Sequence, residues 1–266
     1  MSNILEKIVA DKQLEVAQKK QAIPVETYKD YPNYKLERRS LKASLLKEGS
    51  TGIIAEYKRK SPSKGIINAT AQVEDVVKAY SKAAAGISVL TDEKYFGGTN
   101  DDLIAARKVA TVPLLRKEFI VDEYQIHEAR AIGADLILLI AACLTPEQVK
   151  HFASVAKQLE LEVLLEIHDE TELVHICDEV DFVGVNNRNL KTFSVDINTS
   201  LRLFDSIPAD KPAIAESGIS NTDAILTLRE AGFKGFLIGE NFMKENDPSF
   251  AFASFVESLQ SSVKNE

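Results

Sequence analysis

A closed (β/α)₈ TIM barrel, an α/β fold here carrying an N-terminal helical extension, is the fold class that three observations predict. Eight short apolar runs recur from Gly52 onward, each followed by a turn signal and then a segment with 3.6-residue periodicity. The runs are apolar on both faces, as in strands of a parallel sheet covered by helices. The GxGxxG turn expected after the first strand of an open dinucleotide-binding sheet is missing from the sequence.

The first fifty residues lack strand signals and read as helix, with a break at Ile23-Pro24 and a loop at Tyr31-Pro32-Asn33. The strands are expected at 53–58, 87–91, 112–117, 135–140, 162–167, 182–186, 212–216 and 235–239. The helices between them are expected at 72–85, 101–110, 123–132, 146–159, 170–177, 197–204, 221–231 and 248–259. Barrels of about 250 residues are the standing exception to one domain per about 150 residues. The 266 residues therefore read as one domain, 1–50 the extension and 51–266 the barrel, too short for a second fused barrel.

Composition narrows the function classes. With 45% hydrophobic and 27% charged residues the chain can bury one large core. The longest apolar run, 136–144, is strand-sized and falls short of the ~20 residues of a membrane span. The opening MSNILEKIVADKQLEV lacks the basic start and apolar centre of a signal peptide, so a cytoplasmic enzyme is expected. Cys143 and Cys177 read as reduced thiols. A net charge of −8 argues against a nucleic-acid partner. Nothing in the surface pattern calls for a dimer, which favours a monomer over an obligate oligomer.

Barrel active sites lie at the C-terminal ends of the strands. Here the apolar runs end in Glu56 and Lys58, Lys117, Glu166, Asn186, Glu216 with Ser217, and Gly239. Alternation sends Glu56 and Lys58 to the same inward face, where a buried ion pair is costly without a purpose. The loops after strands seven and eight, Glu216-Ser217-Gly218-Ile219-Ser220 and Ile238-Gly239-Glu240-Asn241, each carry the glycine that barrel phosphate sites use. Glu240 has the wrong charge for phosphate and can serve it only through its backbone N–H.

The segment IIAEYKRKSPSKGII, 53–67, resembles the signature of indole-3-glycerol phosphate synthases, a first-strand E-x-K followed by a Ser-Pro loop that contains Ser61. ISVLTDEKYFGGT, LLRKEFIVDEYQI, LLEIHDETEL, GVNNRNL, AESGIS and FLIGENFM resemble the same family in the same order. The resemblance implies cyclisation, decarboxylation and dehydration of a carboxyphenylamino-deoxyribulose 5-phosphate, with no metal or organic cofactor. It implies Lys117 as the general acid to the ketone, Lys58 as a binder of substrate anions that assists loss of water, and Glu56 as the base of the final deprotonation. It places Glu166 at the anilinic nitrogen and Asn186 at the reacting hydroxyls. Which lysine acts in which step stays open.

By the same resemblance Ser217, also counted among the catalytic residues, joins Gly218, Gly239, Glu240 and Lys58 around the phosphate. Ser61 and Glu216 are expected to contact substrate, Phe96, Phe119 and Leu190 to wall an aromatic pocket, and Arg188 to face a carboxylate.

Glu166, His168, His175, Cys177 and Asp178 cluster in sequence, but His175 and Cys177 lie two apart on a helix and point apart, so no metal site is expected. His168 reads as a loop residue leading into the next helix. His127 and His151 lack a partnering serine or cysteine motif, and the run from Lys58 to Lys60 is too short for a nucleic-acid patch. Two rival readings remain: a Schiff-base aldolase using Lys117 at a lowered pKa, and a non-catalytic barrel that binds a phosphorylated metabolite.

Overall fold

In the computed structural model, which describes residues 4–190 and 192–264, α1 (Ile4–Ala22) and α2 (Leu41–Leu46) precede the first strand, β1 (Ile53–Tyr57). Residues 1–3 of the expected extension lie outside the described residues. Two short strands, β2 (Lys60–Ser61) and β3 (Gly65–Ile66), then pair antiparallel as a hairpin above the barrel rim. The remaining order is α3 (Val73–Tyr80), β4 (Gly86–Leu90), α4 (Glu93–Phe96), α5 (Asn100–Val109), β5 (Leu114–Lys117), α6 (Tyr124–Ile132), β6 (Leu136–Ile140) and α7 (Pro146–Gln158). It continues with β7 (Glu162–Ile167), β8 (Phe182–Asn186), α8 (Asn198–Leu203), β9 (Ala213–Glu216), α9 (Thr222–Ala231), β10 (Gly235–Ile238), α10 (Glu240–Met243) and α11 (Pro248–Lys264).

Strands β1 and β4 to β10 pair in parallel in sequence order, and β10 returns to β1 to close an eight-stranded barrel. Alternation divides each strand. Ile53, Ala55, Val89, Leu139, Val163, Val185 and Phe236 face outward into the layer shared with the helices. Ile54, Leu115, Leu136, Leu164, Phe182, Ile214 and Leu237 face inward, where Leu41 and Leu45 of α2 join them. One alternation step further along the inner face, Ile54 is followed by Glu56, Leu115 by Lys117, Leu164 by Glu166 and Ile214 by Glu216. The same periodicity that fills the core therefore delivers a polar ring at the C-terminal mouth.

The extension is helical and breaks at Ile23-Pro24, and it packs against the barrel. Leu5, Ile8, Lys12 and Val16 form the buried stripe of α1. Val16 packs with Tyr28 of the extension and with Tyr124 and Ala131 of α6 in the outer wall. The Lys12 ammonium enters an acidic slot, 3.0 Å from Asp92 and 3.1 Å from Glu118.

The helix expected at 170–177 is a 3₁₀ segment, Glu170–His175. Asp169 accepts the Thr171 N–H, and successive i→i+3 bonds, Glu172 N–H to Asp169 O and Ile176 N–H to Leu173 O, hold the tighter winding. The expectation also lacked α4, which Asp92 caps by accepting from the N–H groups of Tyr95 and Phe96. No helix among the described residues is long and apolar enough to cross a membrane.

Candidate active site

Two lysines and three carboxylates meet at the mouth. Lys58 Nζ lies 2.8 Å from Glu56 Oε1. Lys117 Nζ lies 2.7 Å from Glu216 Oε2 and 3.4 Å from Glu166 Oε2. Asn186 is oriented by both ends of its amide: Nδ2 donates to Glu166 Oε1 at 3.0 Å, and Oδ1 accepts the Arg188 backbone N–H at 3.0 Å. Glu56, Glu166 and Glu216 are all buried.

Two glycines admit these carboxylates. A Cβ on Gly239 would fall 2.5 Å from Glu56 Oε1, and one on Gly184 would fall 2.3 Å from Glu216 Oε1. Any side chain at either position would displace the charged group beside it.

The charges are strongly coupled. Burial pulls the Lys117 pKa down, but Glu216, Glu166 and Glu56 more than reverse this, leaving it above the ordinary lysine value. Burial pushes Glu56 up, yet Lys58 and Lys117 carry it below the ordinary carboxylate value. Glu166 is likewise lowered against burial by Lys117, His168 and Asn186. Glu216 goes the other way, to about 7, because burial and the neighbouring Glu166 charge outweigh Lys117. Glu216 Oε1 has no hydrogen-bond partner among the described residues, so no donor stabilises the charge on that oxygen.

The cavity over this ring, about 170 Å³, has an apolar side built by Phe96, Phe119, Leu138, Ile140 and Leu190. The rings of Phe96 and Phe119 lie 6.0 Å apart and tilted by 37°, a packed aromatic pair that forms one wall of an apolar slot for a flat ring. Ile4, Leu5 and Ile8 of α1 complete that side. Sequence reasoning missed them, although the i, i+3, i+7, i+11 spacing of Leu5, Ile8, Lys12 and Val16 marks the face that docks.

Beyond Glu56 and Lys58 the cavity opens into a polar basin lined by Ser217, Gly218, Gly239, Glu240, Asn241, Lys64 and Lys244. Ser217 and Gly218 both adopt left-handed conformations, with φ of 66° and 78°. For a non-glycine residue such as Ser217 this costs about 1 kcal/mol or more, strain of the kind held at functional turns. The Glu240 carboxylate is drawn to Lys64 at 3.7 Å and Arg188 at 3.8 Å. Arg188 also donates to Phe193 O within its own loop.

Every residue singled out in the sequence lines one or both of these spaces. Ser61 sits at the rim, and Glu216 lies against Lys117 in the first cavity and is not part of the polar basin. One residue that lines neither space but touches a carboxylate of the site went unrecognised: His168, whose ring nitrogens lie 3.2 Å from Glu166 and 3.2 Å from Glu172.

Residues 5–255 match the family model described as indole-3-glycerol phosphate synthase. An indole-3-glycerol phosphate synthase from Bacteroides thetaiotaomicron is 47% identical over 261 residues, covering 98% of this chain and 100% of that protein. One from Laribacter hongkongensis is 45% identical, covering 95% of this chain and 98% of that protein. Among solved structures, a tryptophan synthase alpha subunit from Pyrococcus furiosus superimposes with a TM-score of 0.62 at 15% identity, over 79% of this chain and 98% of that one, a likeness of fold alone.

Proposed function

The chain belongs to the indole-3-glycerol phosphate synthase family, and from that premise we propose how its mouth divides the work. The reaction closes a ring in 1-(2-carboxyphenylamino)-1-deoxyribulose 5-phosphate. The aromatic carbon bearing the carboxylate bonds to the ketone carbon, carbon dioxide leaves, and loss of water gives indole-3-glycerol phosphate.

The observation that carries the assignment is the position of Lys117, charged and held between Glu216 and Glu166 in the cavity whose other side is the apolar slot. The aromatic ring packs against Phe96 and Phe119, with Leu190 beside it, and the phosphate enters the basin near Ser217, Gly218, Gly239 and Glu240. The ketone then lies over Lys117. As carbon attacks carbon, the ketone oxygen becomes an alkoxide, a stronger base than the amine that protonates it.

Lys58 reaches both spaces, which suits it to hold substrate anions and to assist departure of the hydroxyl as water. Glu56, ionised by its lysine neighbours, is the base for the final proton. Glu166 serves the anilinic nitrogen, Asn186 the hydroxyls, and Arg188 the carboxylate, with Ser61 closing the rim. The same reading takes the chain as a cytoplasmic enzyme that works without metal or organic cofactor, and as one domain and a monomer, since every group named comes from one barrel mouth.

A Schiff-base reading of Lys117 requires a neutral amine, and its carboxylate neighbours favour the opposite state. The protein contains no tryptophan, so product indole is visible by fluorescence against tyrosine alone. Indole emission growing in on addition of the substrate, without added metal, is the expected result. A folded sample that gives no emission, or a borohydride-trapped covalent adduct at Lys117, would overturn the reading.

A further inference from the structure

His168 follows β7 two residues after Glu166, so strand alternation aims both toward the mouth. Its side chain is only 9% exposed, and each ring nitrogen faces a different carboxylate. Nε2 lies 3.2 Å from Glu166 Oε1 and Nδ1 lies 3.2 Å from Glu172 Oε2. Glu172 Oε2 also accepts the His168 backbone N–H at 2.7 Å, so one oxygen fixes both ring and main chain. The 3₁₀ segment that replaced the expected helix is what turns Glu172 back onto His168.

An imidazole can donate from both nitrogens only as the cation. Nε2 is buried and lacks an aligned hydrogen bond despite its closeness to Glu166, so its position is set by Glu172 and by charge. We propose that His168 is a positioning residue: Glu172 holds it as an imidazolium against Glu166 Oε1, where Asn186 also donates, leaving Oε2 for Lys117 and the substrate nitrogen. This rests on the assignment of Glu166 to the anilinic nitrogen.

Electrostatics supports the geometry. Burial lowers the ring's pKa, but Glu166 and Glu172 together raise it to about 10. Other charged groups facing this pair are Lys117 from β5, Glu216 from β9, Glu56 from β1 and Lys58 just after it, and Asp169, Arg188, Asp196 and Arg202 around the adjoining space. The Cys143 thiol also faces Glu166, and burial with that charge pushes it up to about 12, so it stays neutral.

Imidazole proton NMR reads the claim without turnover. The chain has four histidines, and the His168 signal is assigned by its loss in His168→Asn. In the unmodified protein that signal should not titrate between about pH 5 and 8. In Glu172→Gln and in Glu166→Gln its midpoint should move down toward the ordinary value of about 6.5. An unmodified protein whose His168 titrates near that ordinary value overturns the proposal, whatever the variants do.

Kinetically, His168→Asn should lower kcat by about tenfold or more, with KM changing far less, and shift the acid limb of the kcat profile to higher pH. His168→Gln, which can still reach Glu166 with a neutral donor, should recover part of kcat but not the original acid limb. If Glu166→Gln is inactive while His168→Asn keeps full kcat and an unmoved profile, this inference fails alone. If Glu166→Gln turns over normally, the assignment beneath it fails as well.

Discussion

Lys117 Nζ lies 2.7 Å from Oε2 of Glu216, a residue 1% exposed whose other carboxyl oxygen has no partner among the described residues. One ammonium thus serves two buried carboxylates, Glu216 and Glu166, and the three groups share fewer protons than they have sites. Glu166 has His168 and Asn186 in addition, while Glu216 has Lys117, so the extra proton belongs on Glu216.

Lys117→Met removes the proton donor and should lower kcat about a thousandfold or more, within the range of general acid catalysis. Binding of the substrate's phosphate end, remote from Lys117, should be largely kept in equilibrium titration. Because the methionine variant leaves two carboxylates without their cation, Lys117→Arg is the companion: it preserves the charge but holds its proton too tightly to donate it. Both should be folded by circular dichroism and both slow. Normal turnover by either one would remove Lys117 as the acid.

Glu216 gives a stability prediction with a definite sign. Its folded pKa, about 7, lies above an ordinary carboxylate, so between the two values the folded state binds more protons than the unfolded state. Stability at this group is therefore highest below the unfolded value and is lost as pH rises through the folded one. Glu216→Gln cannot lose that proton. The stability of the variant relative to the parent should rise from pH 5 to pH 8, by up to about 3 kcal/mol if the whole shift is felt. Urea denaturation at the two pH values measures it; a relative stability that is flat or falls with pH would place the proton elsewhere.

Much of the barrel was legible because both of its periods are local. A strand's alternation and a helix's 3.6-residue repeat can be counted along the chain, and the residue at each strand end follows from the same count. The pairing of Lys117 with Glu216 is not local: it joins residues 99 apart and exists only once the barrel closes. His168 was passed over because the segment after it resembles a helix start, whereas the 3₁₀ winding brings Glu172 back to its ring and backbone. The roof formed by α1 was passed over although its stripe is regular, because periodicity shows that a face is buried but not what buries it.

Lys12 interrupts that apolar stripe and shows what docks α1. Its side chain is 3% exposed, with Glu15, Asp92 and Glu118 all within 3.1 Å of the ammonium. Burial disfavours the charge, but Glu118, Asp92 and Glu15 raise the pKa well beyond an ordinary lysine. Lys12→Met fits the apolar neighbours yet leaves Asp92 with only its cap hydrogen bonds and Glu118 with only Thr91, the Phe119 N–H and the Arg116 guanidinium 3.9 Å away, a loss of about 3 kcal/mol, the low end for a broken buried pair. The loss should appear as faster amide exchange along 5–16. It should also raise KM more than it lowers kcat, since Ile4, Leu5 and Ile8 wall the cavity but take no part in the ion pairs of Lys117. Unchanged exchange and KM would mean that α1 stays seated without its ion pairs.

Gly239 lies where the polar basin meets the Glu56–Lys58 pair, and its missing side chain sets where that pair can sit. An alanine Cβ would stand 2.5 Å from Glu56 Oε1 and 2.9 Å from Glu56 Cβ, and turning the carboxylate end relieves only the first contact. Strand β1 must then shift or Glu56 must leave its position, taking Lys58 with it through their 2.8 Å ion pair. A displacement of about 1 Å in a positioned catalytic group costs about a hundredfold, and Gly239→Ala should lower kcat/KM by that order. Lys117 and the apolar slot contact neither atom of the clash, so the aromatic end of the substrate should still bind. Wild-type kcat/KM in this variant would show that Glu56 tolerates displacement, and the final deprotonation would have to be assigned to another base.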